Sequence, residues 1–290
     1  MSRGRSPCNL QHVGVDITRK LGQATLAAVT AALINPVPAV AATPKPDHVV
    51  IVVLENKRYD AIVGPAQTPW ITALAGHAAN LRDFYAETHP SQPNYLALFS
   101  GSTQGVTDDK CPYDLGARPN LARQLIDAGD SFAGYAEGLP RTGWRGCGSA
   151  RYFRRHTPWA NFSNVPSSVS RPYSAFPSHY RKLPTVSFVI PDVCDDMHDC
   201  SRATGDAWLR EHLAKYVTWA RTHNSWFVLT FDEDDRTDAD HIPAIVIGVG
   251  VPAGQYTVRL DHYDLLHSLE KMYGLPYLGA AAARTGLPWV

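Results

Sequence analysis

The run DHVVIVVLEN, residues 47–56, limits the fold more than any other stretch. A strand with one wet face alternates apolar and polar residues, whereas this one is continuously apolar and β-branched. It therefore reads as a strand buried on both faces, as in a parallel sheet covered by helices. LPTVSFVIPD, SWFVLTFDEDD and IPAIVIGVGV repeat the pattern, and SFAGYAE reads as a shorter strand. Helical spacing separates these runs. TPWITALAGHAANL reads as helix, NYLALFSG as helix closed by Gly101, and NLARQLIDAGD as helix stopped by Gly129. TGDAWLREHLAKYVTWARTH is an amphipathic helix with Thr204 or Asp206 as its cap. DHYDLLHSLEKMYGLP is a helix capped near Asp261 and stopped by Gly274. The alternation predicts an α/β fold, a mostly parallel central sheet with helices on both faces.

The 290 residues, 44% hydrophobic and 19% charged, supply one sizeable core. No Gly/Ser linker divides the chain, so residues 42–290 are expected to form a single domain. Residues 107–182, rich in Gly, Pro, Arg and aromatics, read as a long excursion from it. Its aromatics Trp144, Tyr152, Phe153, Trp159 and Phe162 suggest a small satellite core. The alternative is that they meet an anionic lipid at a membrane surface together with Arg151, Arg154 and Arg155. The formal net charge is zero, so no global field favours nucleic acid or an anionic membrane.

Residues 1–41 read as a cleaved secretory signal peptide. Arg3, Arg5, Arg19 and Lys20 precede an Ala-rich stretch ending in Ala39-Val40-Ala41, a small-x-small cleavage pattern. Pro36 and Pro38 argue against a stable membrane span. With no Arg-Arg pair, the general secretory route is expected, giving a secreted protein. Cys8 would leave with the signal. Cys111, Cys147, Cys194 and Cys200 remain, an even number suited to an oxidising compartment. Three pairings are possible, of which Cys111–Cys147 with Cys194–Cys200 is the simplest. The absence of any C-x-x-C pair argues against a thiolate metal cluster.

Ligands of open α/β sheets bind at the carboxyl ends of the strands. Here the first strand ends in Glu55-Asn56, another in Asp232-Glu233-Asp234-Asp235, and a third leads into PDVCDDMHD. Single acids at strand ends are ordinary loop starts. Carboxylates gathered from separate strands repel one another unless a cation neutralises them. Oxygen ligands of this kind suit one divalent ion of the Ca, Mg or Mn class. An EF-hand-type reading of DEDDRTDAD lacks both the turn glycine and the closing glutamate, which disfavours a calcium-dependent binding module.

ETHPSQPNYLALFSG, residues 87–101, places His89, Ser91 and Asn94 at the start of a helix. Ser91 before Pro93 is a candidate N-cap. The same position suits a nucleophile, because a helix N-terminus offers amide groups to a phosphate and an adjacent metal would lower the hydroxyl pKa. His156, His198 and His262 are further candidate donors and acids.

VVIVVLEN, ETHPSQPNYLALFSG, RRHTPWANFSNVP, LPTVSFVIPD with DMHD, and TFDEDD, in this order, resemble the bacterial acid phosphatase and phospholipase C phosphoesterase family of the alkaline-phosphatase-like superfamily. The likeness spans roughly residues 47–277. It implies metal ligation by Glu55, Asn56, Ser91, Asp232 and Glu233, with Ser91 as nucleophile. It implies phosphate binding by Asn94, His156, His198 and His89, with His156 and His198 also serving catalysis. His262, Asp234 and Asp235 receive no firm role. The implied activity is a secreted phosphomonoesterase forming a phosphoserine intermediate, and the likeness is greatest to members acting on phosphatidylinositol 3-phosphate. The phospholipase C branch carries a Gly-Gly and Asp-His-Val run after the acidic strand, where this chain has DEDDRTDADHIP. That departure favours monoesters over phosphodiesters.

Overall fold

Eight strands in a twisted sheet bring the acidic strand ends to one edge. They are β1 (His48–Leu54), β2 (Ala79–Leu81), β3 (Phe132–Ala136), β4 (Ser170–Pro172), β5 (Val186–Ile190), β6 (Ser225–Phe231), β7 (Ala244–Gly248) and β8 (Gly254–Tyr256). This computed structural model describes residue 14 and residues 44–237 and 239–290. Apart from residue 14, the expected signal segment, Cys8 included, lies outside the described residues. Residues 42–290 form one compact unit.

The strand order is β8-β2-β7-β6-β1-β5-β3-β4. β1 is central and pairs in parallel with β5 and β6, which accounts for its unbroken apolar run. β7 alone runs antiparallel, between β6 and β2.

Two groups of helices cover the sheet. One holds α1 (Pro69–Ala75) and α4 (Arg202–Ala220), and the other α2 (Ser91–Ser100), α3 (Leu121–Asp127) and α5 (His262–Tyr273). Register assigns the faces. Ile51 lies level with Phe188 on one side and Val228 on the other, so Phe188 and Phe227 point to opposite faces. Phe188 packs edge-on against Phe99 of α2, while Phe227 meets Trp70 of α1.

Several local expectations change. The helix expected over TPWITALAGHAANL ends at Ala75, and Ala79–Leu81 becomes a strand at the far side of the sheet. α4 starts at Arg202 with Ser201 as its cap, accepting from the Thr204 amide. Asp206 instead accepts from the Trp70 and Ile71 amides at 3.1 and 2.8 Å, capping α1 from across the molecule. Asp261 and Gly274 bound α5 as the local pattern predicts.

The segment 107–182 is no peripheral excursion, since β3 and β4 both come from it. Tyr152, Trp159 and Phe162 belong to the main core and Trp144 packs against it, while Phe153 lies outside it with Arg155 over its ring. Trp159 and Phe162 are buried with Phe99, Phe132 and Phe188. A Cβ on Gly134 of β3 would lie 2.2 Å from the Trp159 ring, so only glycine admits that indole against the sheet. Arg154 is also buried, donating to Asn161 Oδ1 and to the carbonyls of Arg145, Tyr113 and Ala160. It is therefore spent on the interior rather than offered to a membrane. Cys111–Cys147 and Cys194–Cys200 are disulfide-bonded.

Candidate active site

Backbone hydrogen bonds tie the carboxyl ends of β1, β5 and β6 together. The Glu55 amide donates to the Asp196 carbonyl at 2.9 Å, the Asp232 amide to Leu54, and the Lys57 amide to Glu233. Asn56 adopts φ 55° and donates its amide to Asp232 Oδ1 at 2.9 Å. That left-handed kink, tolerated by asparagine, turns Glu55 inward.

Glu55 is fully buried and is the hub of the site. Its Oε2 accepts from Ser91 Oγ at 3.0 Å and from Asn56 Nδ2 at 3.3 Å. Its Oε1 accepts from the Tyr95 hydroxyl at 2.5 Å and lies 3.2 Å from His156 Nε2. Tyr95 stacks on the His156 ring, and His156 Nδ1 lies 3.7 Å from Asp196 Oδ2. Ser91 is the first residue of α2 and caps nothing. The N-cap position belongs to Pro90, which makes no side-chain cap bond.

Electrostatics single out this cluster. Burial, then Asp232 and Asp196, holds the Glu55 pKa well above the ordinary carboxylate range. Burial raises Asp196 and Asp232 as well. Glu233 is pushed up to about 9, by burial and then by Asp232. Burial, then the neighbouring Arg155, depresses His156 far below the ordinary imidazole value and favours its neutral form, whose Nε2 accepts from Arg155 Nε at 3.1 Å. The Oδ2 atoms of Asp196 and Asp232 are buried with no hydrogen-bond partner. Orphaned carboxylate oxygens beside a neutral imidazole are the chemistry of a cation site.

Ligand atoms of Glu55, His156 and Asp196 all lie within 4.8 Å of one another. Thus His156, expected at the phosphate, belongs by geometry to the metal-capable group. Asp196 was missed. It stood in the acid-rich PDVCDDMHD stretch, where His198 and Cys194 were singled out but no acid.

Other expected residues take different places. Asn94 Oδ1 accepts from the Glu87 and Thr88 amides, and its Nδ2 donates to Thr88 O at 2.6 Å and Glu233 Oε2 at 3.3 Å. Its carboxamide therefore holds the loop before α2 and has no group left for a phosphate. One amide of the α2 terminus is occupied too, since Gln92 N–H donates to Asp109 Oδ1 at 2.9 Å. His89 contacts Glu233 Oε1 at 3.0 Å, Asp234 Oδ1 at 3.0 Å and Asp240 Oδ1 at 2.7 Å. Asp235 pairs with Arg58. His262 donates from Nε2 to the Asp232 carbonyl at 2.9 Å, supporting β6 from beneath. His198 is exposed, bonded to Asp199 at 2.6 Å, with its ring 6.4 Å from that of His156. A cavity of about 330 Å³ opens over Ser91, lined also by Asn56, Asp109, His198, Glu233 and Arg236.

A model of the phosphoesterase family matches residues 65–276. The chain belongs to the phosphoesterase family. Among curated relatives, this phosphoesterase is 50% identical to the phosphatidylinositol-3-phosphatase of Mycobacterium tuberculosis over 245 residues, 84% of this chain and 82% of that protein. It is 29% identical to a probable acid phosphatase of Kluyveromyces lactis over 254 residues, 79% of this chain but 58% of that one. In structure the phosphoesterase matches the lipoteichoic acid synthase LtaP of Listeria monocytogenes with TM-score 0.57, at 12% identity, over 80% of this chain and 73% of that one. It matches a protein of the alkaline phosphatase superfamily from Vibrio parahaemolyticus with TM-score 0.56, at 12% identity, over 84% and 71%. The fold of this phosphoesterase is the alkaline-phosphatase-like α/β sandwich.

Proposed function

We propose that the protein is an exported phosphomonoesterase with Ser91 as nucleophile and phosphatidylinositol 3-phosphate among its substrates. One observation carries the reading: the buried Ser91 hydroxyl, at the mouth of the cavity, donates to Glu55 Oε2 at 3.0 Å. A serine bonded to a carboxylate hub is placed to lose its proton as it attacks. Likeness to the mycobacterial phosphatidylinositol-3-phosphatase supports the substrate class. The two disulfides suit an oxidising compartment and so support export. Among the described residues, no helix is long and apolar enough to cross a membrane.

Glu55, Asp196, Asp232 and His156 would hold one divalent cation, with Ser91 Oγ beside it. Such an ion would lower the hydroxyl pKa and offset phosphate charge. The Ser91 Oγ–P bond forms as the P–O bond to the alcohol breaks. His198, on the cavity wall, supplies the proton to the departing alkoxide. Water then cleaves the phosphoserine, releasing phosphate. Asn94 and His89 act by position, holding the loop and Glu233.

Ser91→Ala should lower release of phosphate from an aryl phosphate by about a thousandfold or more, with the melting temperature kept. Activity within tenfold of wild type would refute the nucleophile. Faster turnover of a bis-aryl phosphate than of the monoester would overturn the monoesterase reading.

A further inference from the structure

The acidic loop after β6 carries a cation that the proposed chemistry leaves unused. Arg236 sits at φ 63°, a left-handed backbone that a long side chain adopts only when the surrounding structure imposes it. Its amide donates to Asp234 Oδ1 at 2.6 Å, and the Asp240 amide donates to Asp234 Oδ2 at 3.3 Å, closing the turn. Arg58 grips the turn from outside through Asp235 and through Thr237 Oγ1 at 3.1 Å. The backbone is thus pinned while the guanidinium is exposed. Among the described residues it makes no hydrogen bond and no ion pair.

Arg236 lines the same cavity as Ser91. It is the one permanent cation among the lining side chains, whose acids are already engaged: Asp109 by the Gln92 amide, Glu233 by His89, and Asp235 by Arg58. A phosphate dianion in this cavity would meet one guanidinium, whose charge already bears on Glu233 and Asp240 but is held by no hydrogen bond. Guanidinium pairs with phosphate oxygens through two parallel N–H bonds.

We infer that Arg236 is a substrate-binding residue that grips a phosphate oxyanion in the Ser91 cavity, an inference that rests on the phosphatase reading above. The oxyanion has two possible sources: the group being transferred, or a second phosphate on the same inositol headgroup.

The test compares wild type with Arg236→Asn, which tolerates the left-handed backbone, and with Arg236→Lys, which keeps the charge. Three readouts are taken on the metal-loaded protein: kcat/KM for inositol 3-phosphate, kcat/KM for inositol 1,3-bisphosphate, and competitive inhibition by inorganic phosphate. Loss of a charge-assisted pair corresponds to about 10- to 100-fold in binding. If Arg236 grips the transferred group, the asparagine variant weakens inorganic phosphate inhibition and raises KM by that factor for both esters. If it grips a second phosphate, inhibition holds while the bisphosphate-to-monophosphate ratio falls about tenfold or more. In either case Arg236→Lys recovers part of the loss. Inhibition and ratio both within twofold of wild type would overturn the inference. A wild-type chain releasing no phosphate from either ester would instead refute the phosphatase reading.

Discussion

Replacing Asp232 with asparagine separates a cation site from a chance gathering of acids. Asp232 is 1% exposed, its Oδ1 takes the Asn56 amide, and its Oδ2 has no partner. Burial holds its pKa above the ordinary 3.8. Without a cation, the folded chain holds this proton to higher pH than the unfolded chain does. Stability is therefore lost as pH rises above 3.8 toward the folded value, and the loss is absent below 3.8. At pH 7 that proton costs at most about 4 kcal/mol. Asparagine keeps the Oδ1 acceptor and needs no proton. In chelator at pH 7, Asp232→Asn should melt above wild type by several degrees, at most about 10 °C. At pH 4 the two should melt together. Excess divalent cation should reverse the order, because wild type gains about 2.7 kcal/mol at a hundredfold excess over Kd and the variant gains less. Calorimetry at pH 4, 5.5 and 7, with EDTA or with Mg, Ca, Mn or Zn, reads all of this. A variant that melts below wild type in EDTA at pH 7, with both gaining equally from every cation, would refute the cation site.

Two predictions concern the scaffold. Gly101 ends α2 at φ 68°, and a Cβ there would lie 2.1 Å from the Leu278 carbonyl oxygen. Gly101→Ala should cost about 2–4 kcal/mol in chemical denaturation, and a loss under 0.5 kcal/mol would show that the close approach relaxes freely. Asp206→Ala removes both caps from α1 and should cost about 2–3 kcal/mol. Asp206→Asn should recover part of this, and equal melting of alanine variant and wild type would contradict the capping role.

β1, β5, β6 and β7 were legible because burial on both faces leaves a continuous apolar signal, whereas β2 was read as helix and the short strands β4 and β8 carry no such run. The ends of α5 were legible because Asp261 and Gly274 act on their own turns. Asp206 was misread as a cap of its own helix because its true partners lie 135 and 136 residues away in sequence. The convergence of Glu55, Ser91 and Asp232 could be anticipated from strand ends, which a parallel sheet brings to one edge. Asp196 could not be told from Asp192 and Asp195 by composition. Only the turn after β5 decides that Asp196 faces Glu55 while Asp192 caps its own loop by accepting the Cys194 and Asp195 amides. Asn94 was placed correctly on its helix, but the direction of its carboxamide depends on the loop before it. Arg236 gave no signal, since an exposed arginine in an acidic loop looks like any solvated charge.

The reversed strand β7 has a consequence for how this edge can change. A parallel partner after β6 would have carried the chain to the opposite end of the sheet, spending residues 232–243 on the return journey. Because β7 starts where β6 stops, the connection leaves and re-enters the same rim. Its first part, Glu233 to Arg236, lines the Ser91 cavity. A change of length in this loop would therefore reshape the rim of the cavity at the expense of the Asp234, Asp235 and His89 contacts that pin it, while β6 and β7 keep their register.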